Sequence, residues 1–384
     1  MMELYVHFPF CVQKCRYCDF ASRSGLEGRM DEYVDALLAD AAMNRVEITE
    51  PIGTVYFGGG TPSLLPPDKM KRLLTGLRKI LPLDQVREWT CEANPGTVSV
   101  SWLDTALEGG VNRLSLGFQA AQNRLLRMLG RIHRAEDVEE SVRLARRAGF
   151  RNLSLDLMFG LPGQSEADWA ESLRTAFALA PEHLSAYGLI PEEGTPLQAD
   201  LEAGRLSLPD VETEREMYET LLRETQRQGW EQYEISNFAK PGFACRHNIG
   251  YWEQIPYLGL GVSAASMLRL QRGADGTRYL RRTAARDFES YLRGVQSGTP
   301  VWDESEWIEP KEARFESLML GLRMNRGVSE KRFLDMHGIS LEVCFGDKIR
   351  VLTERGLLFR SDGHVRLTRL GMDLQNTALV ELMD

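Results

Sequence analysis

Three cysteines fall within the stretch "CVQKCRYCDF", at Cys11, Cys15 and Cys18, and the run then stops. A structural zinc site takes four ligands in closed tetrahedral geometry, commonly as two Cys-x-x-Cys pairs. Here one such pair, Cys15 and Cys18, is joined by Cys11, and the remaining cysteines, Cys91, Cys245 and Cys344, stand singly. His7 could close a tetrahedron, but it lies in or beside a strand. A [4Fe–4S] cluster suits the spacing better, because a single loop can wrap three corners of a cube. The fourth iron then stays open to an outside ligand. Where a further cysteine would extend the run stands Phe20.

Other residues of chemical interest follow downstream. In "GGGTP", Gly58, Gly59 and Gly60 let backbone approach a ligand closely and present N–H groups, and Thr61 adds a hydroxyl. A tight turn would use the same residues. Glu92 in "CEANPGT" could accept hydrogen bonds from a ribose or an ammonium group, or simply cap a helix. In "CRHNIGYW", His247 offers an imidazole able to ligate iron, and Tyr251 and Trp252 offer rings that pack on flat ligands. The plainer alternative is a histidine satisfied in a strand-edge network, with the two aromatics in the core.

The elements that must position these residues have a clear rhythm. Short β-rich runs at "LYVHF", "TVYFGG", "EWTCEA", "RLSLGFQ", "LSLDLMFG" and "HLSAYGLI" alternate with stretches of helical spacing up to about residue 190. Strands separated by helices cannot be hairpins, so the sheet is expected to be largely parallel. The fold class is α/β. The cysteines, GGGTP, EANPGT and Gln119 all fall at C-terminal strand ends, where a barrel gathers its chemistry, so an incomplete (β/α)6 barrel is preferred to an open doubly wound sheet. The expected division is a barrel core over 1–235, an extension over 236–308 carrying His247, and a small α+β domain over 309–384. In this last domain helices lead into a hairpin turning at Asp362-Gly363, a winged-helix-like pattern.

Composition narrows the function. The 384 residues carry 46 Lys and Arg against 55 Asp and Glu, a formal net charge of −9. That balance argues against a broad nucleic-acid footprint, as it does in the C-terminal domain, where Lys348 and Arg350 are offset by Asp347 and Glu354. Cysteines this close in sequence do not form a disulfide framework. The opening "MMELYVHFPF" lacks the basic and apolar regions of a signal peptide, so a cytoplasmic location is expected.

The C-x-x-x-C-x-x-C run after a first strand, with GGGTP after the second, resembles the radical S-adenosylmethionine enzymes. That resemblance implies a [4Fe–4S] cluster on Cys11, Cys15 and Cys18 whose open iron is chelated by S-adenosylmethionine. "YVHFPFC", "FGGGTPS", "EANPGT", "LGFQ", "LGRIH" and "LDLMFGLPGQ" resemble, in order, the oxygen-independent coproporphyrinogen III oxidase branch. The branch implies that Tyr5, Gly59, Gly60, Thr61 and Glu92 line the S-adenosylmethionine site. It also implies that Gln119, Arg131 and Asp156, with Tyr17 at the border, match a second such site. Two departures set the chain apart from the oxidases: Phe20 replaces their next cysteine, and the chain starts almost at its first strand. The His247-Asn248-x-x-Tyr251-Trp252 signature is instead similar to that of the heme chaperones of this branch. It implies a heme region at His247, Asn248, Tyr251 and Trp252, with Cys245 as a weaker candidate ligand. The implied partners are heme as cargo and apo-cytochromes or respiratory oxidase subunits as recipients. A homodimer and peripheral membrane contact are compatible with that role, and whether S-adenosylmethionine is cleaved is left open by these residues.

Overall fold

The computed structural model describes residues 1–270 and 276–383. Residues 271–275, inside the expected extension, and residue 384 lie outside the described set. Six strands, β1 (Met2–Phe8), β2 (Ile52–Gly59), β3 (Glu88–Ala93), β4 (Arg113–Gln119), β5 (Leu153–Phe159) and β6 (His183–Gly188), pair in parallel in sequence order. The chain crosses between them through α1 (Met30–Asn44), α2 (Pro67–Ile80), α3 (Val100–Glu108), α4 (Asn123–Met128), α5 (Ala135–Ala148) and α6 (Glu166–Ala178). Local signals start and stop these helices. Ser165 caps α6 by accepting from the Asp168 N–H, and α5 ends where Gly149 turns left-handed at φ 114°.

The strand order decides what the sheet can enclose. An order that never reverses, with right-handed crossovers, puts every helix on one face. That face is apolar: Leu4, Val6, Phe57, Trp89, Leu114, Leu116, Phe118, Leu153 and Leu155 share one core with Leu37, Leu73, Leu77, Trp102 and Trp169 of the helices. Each fully buried large side chain contributes about 1.5–3 kcal/mol. The opposite face is left without these crossover helices, and along every strand it is polar. Register places Glu3, Thr54 and Glu88 in one row. Tyr5, Tyr56, Thr90 and Arg113 form the next. Glu92, Ser115, Ser154 and His183 form another, and Gly117, Asp156 and Ser185 another nearer the C-terminal ends.

After β6 the chain forms α7 (Pro196–Glu202) and α8 (Val211–Arg227), then the strands β7 (Glu231–Glu234) and β8 (Asn237–Ala239), which add antiparallel beside β6. Next come α9 (Arg246–Trp252), β9 (Tyr257–Leu260), β10 (Ala265–Arg269), β11 (Tyr279–Ala284), α10 (Phe288–Gln296) and β12 (Trp302–Ile308). β9 pairs in parallel with β1, so the sheet runs through twelve strands and ends on β7 and β12. The expected division at 235/236 falls inside the β7–β8 pair. The core is continuous across it, since Leu258, Leu260, Phe288 and Tyr291 pack with β1 and α1. From Pro310 a second core begins. It is built on α11 (Pro310–Gly321), β13 (Val328–Ser329), α12 (Glu330–His337), α13 (Leu341–Glu354), β14 (Leu358–Ser361), β15 (His364–Leu367), α14 (Arg369–Asp373) and α15 (Gln375–Met383). β14 and β15 form the expected hairpin, with Asp362 and Gly363 both left-handed at its tip.

Candidate cofactor-binding site

The cysteines ride on the loop between β1 and α1, and that loop is tied down at several points. The Thr61 N–H donates to the Phe10 carbonyl (2.8 Å), and the Cys11 N–H to that of Arg23 (3.1 Å). Farther along, the Arg16 N–H donates to Leu129 O and the Leu197 N–H to Arg16 O, each at 2.9 Å. A loop held by three other segments and by a bond across itself can keep three side chains in place before any cofactor binds. Cys11, Cys15 and Cys18 are all free thiols, partly exposed, and all open onto one cavity of about 420 Å³. Among the described residues no three His, Cys, Asp or Glu side chains converge closely enough for a single ion. A cube, in which each thiolate meets a different iron, asks for no such convergence. The Arg131 guanidinium donates to Cys15 Sγ (3.5 Å), Asn94 Oδ1 (2.6 Å) and Gly117 O (3.1 Å), which sets a cation beside the thiols.

Beside the cysteines lies the GGGTP turn. Its glycines have a structural reason that involves no ligand. A Cβ on Gly59, whose φ is +106°, would strike the His7 ring at 2.4 Å, and one on Gly60 would strike the Phe10 and Phe8 carbonyls at 2.6 and 2.7 Å. The expectation that this turn presents N–H donors to a ligand is corrected. The Gly59 N–H goes to Glu92 Oε2 (3.2 Å), the Gly60 N–H to Phe8 O (2.6 Å), and the Thr61 N–H to Phe10 O. The Thr61 hydroxyl does face the cavity, accepting from Asn94 Nδ2 at 2.7 Å.

The cavity floor is the polar strand face. Glu92 is held by the Tyr56 hydroxyl (2.8 Å) as well as by Gly59, yet burial pushes its carboxyl up to about 7, with Asp156 adding to the rise. Asp156, held by the Ser115 hydroxyl, is raised for the same reason. A cation bound here would draw both back to their ionised forms. Gln119 adds a second sign of a ligand: its φ is 59°, unusual for a residue other than glycine, and its buried Oε1 has no partner. Tyr17 also lines this cavity, so of the residues implied for S-adenosylmethionine, Gly59, Gly60, Thr61, Glu92, Gln119, Arg131, Asp156 and Tyr17 are brought together. Tyr5 is not. It sits behind Tyr56, its hydroxyl on His7 Nδ1 (3.0 Å), and faces a different cavity. His7 is likewise spent. Its Nε2 pairs with Ala21 O (2.9 Å), and burial lowers its pKa to about 4. The chemistry of the donor set thus fits a cluster at the cysteines and a cationic ligand beside it.

The His247 motif is a helix, α9, and not the edge of a strand. Its four side chains point to separate places. His247 is 1% exposed beneath the cavity floor, with Nδ1 on the Thr54 hydroxyl (2.7 Å) and Nε2 on that of Tyr251 (2.9 Å). Thr54 also donates to Glu3 (3.2 Å), which leaves His247 Nδ1 as the protonated nitrogen. Burial holds the ring neutral, lowering its pKa to about 3. In this arrangement neither nitrogen is free for iron. Asn248 lines the cysteine cavity, Tyr251 the cavity of Tyr5, and Trp252 a cleft toward α11 and α12, where Arg323 lies over its ring at 4.6 Å. Cys245 is buried, its thiol on Glu88 Oε1.

The similarity to known proteins runs the length of the chain. The Radical SAM superfamily profile matches residues 5–176, and that of the HemN C-terminal domain residues 308–374. The heme chaperone HemW of Bacillus subtilis is 38% identical over 98% of this chain and 97% of its own. The heme chaperone HemW of Escherichia coli is 37% identical over 89% of this chain and 88% of its own. The chain belongs to the HemW family of the radical SAM superfamily. The solved coproporphyrinogen III oxidase HemN of Escherichia coli shares the fold, with a TM-score of 0.83 at 21% identity, over 99% of this chain and 89% of that one.

Within this family fold, the sequence reading missed several cavity residues: Tyr56, Asn94, Arg113, Ser115, Ser185 and Tyr187. The signal was present as strict alternation. Arg113, Ser115, Gly117 and Gln119 alternate with Leu114, Leu116 and Phe118 within "RLSLGFQ". A parallel strand buried under helices on both faces would be apolar throughout.

Proposed function

We propose that this chain is a heme chaperone that binds heme and hands it to respiratory hemoproteins, whether apo-cytochromes or oxidase subunits. In this reading Cys11, Cys15 and Cys18 hold a [4Fe–4S] cluster. The cluster, when bound, supplies an open iron for the amino and carboxylate groups of S-adenosylmethionine. Arg131 offsets the charge of the thiolates, Glu92 receives a cationic or hydroxyl group, and the unpartnered Gln119 oxygen accepts from the same ligand. The observation that carries the reading is the likeness, over nearly the whole chain, to proteins named heme chaperones. It is joined to a cavity on which all three thiols open. No helix among the described residues is long and apolar enough to cross a membrane. A membrane-bound recipient would be met peripherally, from the cytoplasm, by a monomer or a homodimer.

Radical decarboxylation of coproporphyrinogen III is the competing reading. The shared fold favours it, and Phe20 in place of the oxidases' next cysteine opposes it. Hemin titrated into anaerobically reconstituted protein is expected to give a saturable Soret shift, while coproporphyrinogen III with reductant and S-adenosylmethionine is expected to be recovered unchanged. Conversion to the divinyl product without hemin binding would replace the chaperone by the oxidase.

A further inference from the structure

A second cavity, of about 540 Å³, adjoins the first on the far side of Asp19 and Phe20, which line both. Its walls are the tail of the cysteine loop, β1, α9, the strands β9 to β11 and α11. The lining is mostly apolar and aromatic, including Tyr251, Tyr257 and Met267, with His7, Asp19 and two arginines, Arg281 and Arg286, among its titratable groups. A flat ligand of intermediate size suits such a volume and lining.

Two side chains here are not accounted for by packing. Phe20 is 57% exposed at the lip, so its ring is left open to a ligand and not buried in the core. Its backbone is fixed, since the Phe20 carbonyl accepts from Lys14 Nζ (2.8 Å) and the Ser22 N–H (2.7 Å), so the ring is presented on a held loop. Arg286 is exposed, and its guanidinium reaches back to the Asp19 carbonyl (2.7 Å), an uncharged acceptor that leaves its charge uncompensated there. Arg281, by contrast, is already paired with Glu306 and Glu316. The cavity therefore offers an aromatic platform, an apolar interior and one available cation at its mouth.

We propose that this side cavity is the heme pocket, with Phe20 against the macrocycle and Arg286 receiving a propionate. The proposal rests on the heme-chaperone reading and gives it a location. It also gives Phe20 a role at the cysteine loop, since the ring stands at the lip shared by both cavities. The His247 motif then acts at one remove. Tyr251 is a wall of the pocket, and His247 is a positioning residue that holds its hydroxyl from behind at 2.9 Å. The pocket has no free imidazole among the described residues. Its candidate axial groups are the Tyr251 and Tyr257 phenols and the Met267 thioether, of the kinds that ligate heme iron elsewhere. His7 also lines the pocket, but both its nitrogens are engaged, by the Tyr5 hydroxyl and the Ala21 carbonyl, and the remaining phenol and thioether ligands suit a protein that must give its heme away.

The test is hemin titration of reconstituted full-length protein, followed at the Soret band, with Phe20→Ala and Arg286→Ala in parallel. Both side chains are exposed, so both variants should keep the wild-type melting temperature. Each is expected to raise Kd about tenfold, the scale of a lost aromatic or charge-assisted contact. Hemin dimethyl ester, which lacks the propionate charges, should bind wild type and Arg286→Ala equally while still sensing Phe20→Ala. Wild-type binding with both variants unaffected would overturn the pocket and leave the chaperone reading in place. No saturable binding by wild type would overturn both.

Discussion

The cysteine loop and the α9 helix carry the two most distinctive motifs of this chain, in opposite physical settings. The three thiols open onto a cavity and have few partners, whereas His247 is sealed beneath that cavity with both ring nitrogens engaged. A motif whose groups are left available is built for a ligand from outside. A motif whose groups are already satisfied has its partner inside the protein, and acts on function only by what it holds in place. Residue type alone does not separate the cases, because cysteine and histidine are both ligands and both common in cores.

That contrast should appear when each region is cut. Cys15→Ser is expected to abolish the cluster's visible absorption after anaerobic reconstitution. The apo-protein's stability should stay within about 1 kcal/mol of wild type, because a partly exposed side chain is being exchanged. Unfolding of the apo-variant at a much lower urea midpoint would show that the loop is structural as well. His247→Ala should do the reverse. Removing it takes the partner from the Tyr251 hydroxyl, leaves Thr54 only its bond to Glu3 and opens a void, at a cost of about 2–4 kcal/mol. Its reconstituted cluster spectrum should be unchanged under conditions where the protein is folded. Full stability in that variant would break the comparison.

Glu92 belongs with the cysteines, and its test is the subtlest. Its folded-state pKa, raised to about 7, means that folded protein holds a proton which the unfolded chain has lost between about 4.5 and 7. Stability is therefore surrendered as pH rises through that window, at up to about 1.4 kcal/mol per pH unit for this group. In protein without S-adenosylmethionine, Glu92→Gln should be more stable than wild type at pH 8, and the gap should close toward pH 5. The same substitution should weaken S-adenosylmethionine binding. A gap independent of pH would mean that the carboxyl is not held near neutrality, and would remove the case that stability is sacrificed there for a ligand.

Much of this was legible in the chain before any fold was drawn. The spacing of Cys11, Cys15 and Cys18 and the six alternating strand and helix signals pointed to the cysteine loop and the parallel strands, because both depend on residues near one another in sequence. The polar inner face was legible too, as the alternation of Glu3, Tyr5 and His7 or of Ser154 and Asp156, though it has meaning only once the six crossover helices lie on the other side. Which donors remain free is a different kind of fact. The N–H groups of GGGTP looked available and were consumed by Phe8, Phe10 and Glu92; His247 looked like a ligand and was consumed by Thr54 and Tyr251. Those partners come from as far as β2 to α9, and a hydrogen bond is made or lost over a few tenths of an ångström. The sequence by itself determined the run of three cysteines and the elements that carry it. Only the tertiary structure decided which polar groups were left unspent, and that Phe20 stands between two cavities.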